Sequence, residues 1–166
     1  ASIVSRGLND GLKNKRQCLD ELLSLPQEER DARLKEAFET VLDFRAKRFL
    51  EYDARQSGAS SQHDLYKDWL STSFLFDRYN YWAYVHVVDS TQAIEKSVLG
   101  DYEGSHPLFI NTDVNYFDYD SETLLRTFFP TVTERSKPIQ GTDALISCDK
   151  AKELIGYEPV YRFEMT

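Results

Sequence analysis

At 166 residues and 19.3 kDa the chain has the length of one ordinary domain with an appendage, enough to bury a sizeable core. Its hydrophobic content of 41% and aromatic content of 13% exclude a disordered segment, and a net charge of −8 with a pI near 4.9 argues against nucleic-acid backbone binding and against an anionic membrane surface. No apolar run approaches the ~20 residues of a membrane helix, and the Ala1 end lacks the layout of a signal peptide, although a chain whose signal had been removed would read the same.

Residues 1–60 carry eleven basic and eleven acidic side chains, so the net charge of −8 resides in 61–166, as do eighteen of the aromatics. Two shifts at one place predict two sections: a charged helical hairpin over 1–57 and an aromatic-rich part over 58–166. Leu8, Leu12, Leu19, Leu22 and Leu23 recur at helical spacing. Ser24 and Gln27 around Pro26 form a capping signature, and Leu34, Phe38, Val41, Leu42, Phe49 and Tyr52 carry a second helix. The charges of the hairpin read as a solvated face, with a partner or dimer surface as the sharper alternative.

The small polar run from Ser57 to Gln62 marks a linker. Leu65, Trp69 and Leu70 then suggest a short helix ending before Ser71. Phe74, Phe76, Tyr79, Tyr81, Trp82 and Tyr84 fit neither a helical nor a strand period, which predicts an extended, mostly buried segment. Asp89 is expected to cap a helix through Ala93, Ile94 and Val98, closed by Gly100 in the left-handed conformation. The run from His106 to Asn111 reads as a short buried strand with Phe109 and Ile110 in the core. Asp120 or Ser121 caps a helix carrying Leu124, Leu125 and Phe128, and Ser147 begins a last helix that Gly156 stops.

Chemistry in this sequence concentrates near the aromatic block. His86 and Asp89 are candidate acid and base, with Tyr84 as a hydrogen-bond donor, in a pocket walled by Phe76, Arg78, Tyr79, Tyr81 and Trp82 that would bind a small molecule. The alternative is a structural histidine beside a helix cap. His63 and His106 show no metal-ligand spacing. Asp113, Asp118 and Asp120 lack the glycine and glutamate of a calcium loop. No metal is expected. Cys18 and Cys148 stand alone and predict free thiols in a reducing, cytoplasmic compartment, one disulfide being the alternative.

The string Tyr84-Val85-His86-Val87-x-Asp89, then His106-Pro107-Leu108-Phe109-Ile110-Asn111, and finally Ser147-x-x-Lys150-Ala151-x-x-Leu154-Ile155-Gly156-Tyr157-x-Pro159 resembles the C-terminal, substrate-side part of extended short-chain dehydrogenase/reductases, the NAD-dependent epimerase/dehydratase family. The resemblance covers residues about 76–163 and leaves the hairpin unmatched. It implies segments that place a substrate beside a nicotinamide held elsewhere. The glycine-rich turn that receives the pyrophosphate is missing, and no tyrosine has a lysine four residues later, so no cofactor is expected to bind this chain.

The expected fold is therefore α+β and α-rich: a helical hairpin packed on a remnant of a reductase substrate lobe, with a small sheet. Three functions stand open: a small-molecule-binding or accessory module derived from such a reductase; a non-redox lyase, isomerase or cyclase using the pocket around His86; and an interaction module. The last would be a homodimer or the partner of a separate nucleotide-binding chain.

Overall fold

A computed structural model of the chain describes residues 3–50 and 68–162, with side chains over 11–46 and 68–162. The expected linker at 57–62, Leu65 and Tyr52 lie outside the described residues. The chain divides into two compact units, Ala1–Tyr79 and Asn80–Thr166.

In the first unit, α1 (Ile3–Ser24) and α2 (Gln27–Leu50) make the hairpin. The expected leucine stripe is the buried one: Leu12, Leu19 and Leu22 are each at most 4% exposed. On α2 the inward line runs through Ala37 and Val41, which leaves Leu42 exposed. Ser24 does not reach forward to α2. Its hydroxyl donates back to the Glu21 carbonyl at 2.7 Å.

The helical hairpin packs against a third helical stretch: α3 (Trp69–Thr72), a π-helical turn (Ser73–Asp77) and α4 (Arg78–Asn80). Asp68 caps it, accepting from the N–H groups of Leu70 and Ser71. This corrects the expectation that a short helix ends before Ser71 and that an extended segment follows. The π turn closes i→i+5 rather than i→i+4 bonds. That extra residue displaces Phe74, Phe76 and Tyr79 from any 3.6-residue period. Phe74 packs on Phe38 with ring centres 5.5 Å apart, and the Lys15 ammonium meets the buried Asp77 carboxylate at 2.8 Å.

The second unit opens with an abrupt reversal. Tyr81 and Trp82 are consecutive residues in the left-handed region, at φ 52° and 51°, a conformation that costs a non-glycine residue roughly 1–2 kcal/mol. Packing offsets it. Trp82, 1% exposed, lies against the rings of Phe128 and Phe129, and Tyr81 stacks on Phe129 at 5.4 Å. Burial of one such indole is worth about 3 kcal/mol or more.

Beyond an extended passage come α5 (Val87–Leu99), α6 (Ser121–Phe128) and α7 (Asp149–Ile155). Asp120 caps α6 through Thr123 N–H, and Gly156 closes α7 at φ 64°, both as the local sequence predicts. Gly100 does not adopt the left-handed conformation expected of it; its φ is −70°. Glycine is required there for space instead, since a Cβ would lie 2.9 Å from the Lys96 carbonyl and 3.0 Å from the Tyr102 ring.

The fold is helix-rich as expected. The small sheet is absent among the described residues, where an isolated antiparallel bridge joins Val114 to Asp143. The strand expected at 106–111 is not formed, and the expectation that Phe109 is core is corrected: it is 65% exposed, with Ile110 half-buried. Side chains replace ladder bonds. The Asn115 amide donates to the Tyr119 carbonyl, the Ser121 hydroxyl and the Thr142 carbonyl, satisfying backbone that a sheet would have paired. A core of Ala93, Cys148, Ala151, Ile155 and Tyr157 joins α5 to α7.

Candidate functional site

α5 is amphipathic in an inverted sense. At 3.6 residues per turn, Val87, Ile94 and Val98 share one side of the helix, while Asp89, Gln92 and Lys96 share the opposite side. The apolar side is the outer one: Val87, Ile94 and Val98 are 64–77% exposed. The polar side faces the body of the unit, with Asp89 at 1% and Ala93 at 3%. The expected helix through Ala93, Ile94 and Val98 is formed, with Ala93 buried and Ile94 and Val98 exposed.

The polar residues are held there by backbone. The segment after Gly156 runs along α5, and each turn of the helix takes hold of it. The Lys96 ammonium donates to the Gly156 carbonyl. The Gln92 side chain donates to the Glu158 carbonyl at 3.1 Å and accepts from the Glu158 N–H at 2.9 Å. The Asp89 carboxylate accepts from the N–H groups of Val160 at 3.2 Å and Tyr161 at 3.1 Å. His86 stacks its imidazole on the Tyr161 ring, with centres 4.5 Å apart and planes within 19°.

The expected acid/base pair is thus already engaged in structure. His86, not Asp89, is the N-cap of α5: its Nδ1 accepts from the Val88 N–H at 3.2 Å. Asp89 lies one turn inside the helix with both oxygens occupied. Tyr84 contributes its carbonyl, which accepts from Thr112 N–H at 2.9 Å.

The predicted pocket residues fall in both units. Phe76, Arg78 and Tyr79 belong to the first unit, where the Arg78 guanidinium lies over Phe38 and that of Arg45 lies 4.2 Å from the centre of the Tyr79 ring. Tyr81 and Trp82 belong to the second, and Trp82 is core rather than wall. Within the second unit His86 and Asp89 both meet Tyr161, one through its ring and the other through its N–H. Sequence reasoning missed Gln92, Lys96 and Tyr161. The available signal was the spacing of His86, Asp89, Gln92 and Lys96 along one helical line.

Near the other end of the same core, Cys148 donates to the Asp113 carboxylate at 3.5 Å, and Lys152 donates to the same oxygen at 2.6 Å. Burial first and then the Asp113 charge push the Cys148 thiol up to about 11. Burial also pushes up the Cys18 thiol. Both are free, and neither is activated as a nucleophile. Tyr157, fully buried, donates to the Asn111 carbonyl at 3.2 Å, and burial raises its phenol to about 12.

Among the described glycines none forms a site for a nicotinamide dinucleotide; Gly58 lies outside the described residues. Gly7 and Gly11 lie within α1, Gly100 and Gly156 follow helices, and Gly104 and Gly141 are isolated in loops. None joins a strand to a helix N-terminus. No described helix is long and apolar enough to cross a membrane. No protein-family model, curated protein or solved structure matches this chain.

Proposed function

We propose that the chain is a protein-interaction module, an accessory piece built on the substrate-side part of an extended short-chain dehydrogenase/reductase and acting without a nucleotide-binding half of its own. The observation that carries this reading is the outward apolar side of α5, with Val87, Ile94 and Val98 64–77% exposed. Contiguous exposed apolar surface of this kind marks contact with another protein. The small-molecule and non-redox enzyme readings need a cavity around His86, and that imidazole is engaged by the Val88 N–H and the Tyr161 ring instead.

The partner is a second copy of the chain or a separate nucleotide-binding chain. Sedimentation velocity over a range of concentrations, for the wild type beside the double variant Ile94→Glu, Val98→Glu, tests the first. A wild-type dimer that the double variant loses, with unchanged circular dichroism, supports the reading. A monomer throughout removes the homodimer form. Retention of the dimer by the variant assigns the contact to another surface.

A further inference from the structure

On α5 the residues Val87, Thr91, Ile94 and Val98 recur at intervals of four, three and four, the spacing of a seam that packs against one other helix. All four are exposed. The Thr91 hydroxyl donates to the Val87 carbonyl at 2.9 Å, so the seam presents no unpaired side-chain donor. Its flank and its C-terminal end are acidic. Glu95 follows Ile94 on the helix, Asp101 and Glu103 follow Gly100, and all three are exposed, with no ion pair to a cation among the described residues. The carbonyl end of α5 adds partial negative charge at the same place. Lys96, the basic residue of the helix, donates to the Gly156 carbonyl on the opposite side.

Resting on the reading of this stripe as an interaction surface, we propose that its occupant is an amphipathic helix of a different chain, apolar along one seam and flanked by lysine and arginine. Charge selects against a second copy. The second unit, Asn80–Thr166, carries fourteen acidic and seven basic side chains, a net charge of −7. Two copies meeting stripe to stripe would set that charge against itself. Area points the same way. The four side chains of the seam offer roughly 400 Å², about half of the ~800 Å² that each partner covers in a stable dimer. So small an apolar contact does not outweigh like charge, whereas a cationic helix adds attraction over the same area. The 3–4 spacing selects a helix as the partner element, because side chains at that spacing interdigitate with the matching seam of another helix. An anionic membrane surface is disfavoured by the same sign of charge.

The test titrates two synthetic amphipathic helices into the intact ¹⁵N-labelled chain. Both carry leucine at alternating three- and four-residue spacing; one has lysine on its flanks and the other glutamate. The lysine peptide is expected to shift the amide signals of Thr91, Ile94, Glu95 and Val98. It is expected to bind about tenfold more tightly than the glutamate peptide at roughly 0.05 M salt, a preference that narrows in roughly 0.5 M salt. A lysine peptide of the same composition with its leucines scrambled should leave those signals in place. The variant Glu95→Lys, Asp101→Lys, changed only at exposed positions, should abolish the preference. Ile94→Glu, Val98→Glu should lose both peptides with unchanged circular dichroism. Equal binding of the two flanked peptides to the wild type, equal shifts from the scrambled peptide, or a preference that the charge variant leaves unmoved overturns the basic-helix proposal, while the stripe remains an interaction surface. Binding of neither peptide to α5 removes both readings. A wild-type dimer that Ile94→Glu, Val98→Glu abolishes assigns the stripe to a second copy and overturns this proposal alone.

Discussion

The carboxylate of Asp89, 1% exposed, is bonded to two successive backbone N–H groups, those of Val160 and Tyr161, 71 and 72 residues further along the chain. Asp89→Asn keeps the shape but removes the charge and one acceptor. Hydrogen bonds to a charged group are worth about 1.5–3 kcal/mol each. The variant is expected to lose about 2 kcal/mol in urea unfolding and to be cut faster by trypsin after Arg162, read by mass spectrometry. An unchanged cleavage rate would show that Asp89 does not hold the segment.

Trp82 combines a left-handed backbone with near-complete burial against Phe128 and Phe129. Trp82→Ala leaves the strain and removes the packing that offsets it. The expected loss is about 3–5 kcal/mol in denaturant unfolding. Trp82→Phe is expected to retain about half of that.

Lys15 and Asp77 form an ion pair whose carboxylate side chain is 8% exposed. Lys15→Met takes the ammonium away from a buried carboxylate and is expected to cost about 3 kcal/mol. Adding Asp77→Leu to Lys15→Met should recover much of this loss, and urea titration of the four proteins of the cycle measures the coupling. A loss in Lys15→Met that Asp77→Leu does not relieve would assign Lys15 a role in packing alone.

Two groups predict alkaline instability. The Cys148 thiol ionises near its ordinary 9.0 when unfolded but holds its proton to about 11 when folded. The Tyr157 phenol likewise moves from 10.0 to about 12. In both, the folded state favours the protonated form, so their contribution is complete below pH 9 and is lost as pH rises from 9 towards 12. Melting temperatures across this window should fall less steeply in Cys148→Ala than in the wild type.

Glu122 gives the opposite sign. Hydrogen bonds from Arg135 and then Arg126 hold its carboxyl down at about 2, below the ordinary 4.5. Its contribution is present above pH 4.5 and is lost as pH falls towards 2. The site is open to solvent, so screening makes the effect small. Glu122→Gln should lower the melting temperature slightly at pH 7, and the difference should vanish near pH 2 or in roughly 1 M salt.

Local chemistry made part of this fold legible. Leu12, Leu19 and Leu22 repeat at helical spacing and are buried, and Asp120 and Gly156 do as a cap and a left-handed stop are expected to do. Phe74 to Tyr79 were illegible because a π turn breaks the period on which pattern reading depends. Asp89 in Asp-Ser-Thr-Gln has the form of a cap, yet His86 three residues earlier takes that place. For α5 a helical wheel separates two sides, that of Ile94 and Val98 and that of Asp89 and Gln92, without telling which is covered. What settles that is the backbone of residues 156–161, which lies far away in sequence and offers polar side chains more than water does. The same distance hid Gln92, Lys96 and Tyr161.

The inverted helix α5 leaves a particular mark on how its sequence can drift. On an ordinary surface helix the polar positions change freely and the apolar ones resist. Here Asp89, Gln92 and Lys96 are tied to backbone groups and resist, while Val87, Ile94, Val98 and Leu99 are 64–77% exposed. In any set of descendants of this chain, random change would scatter lysine and glutamate across those four positions within few substitutions. A stripe that stays apolar through such divergence would record selection by a surface outside the unit.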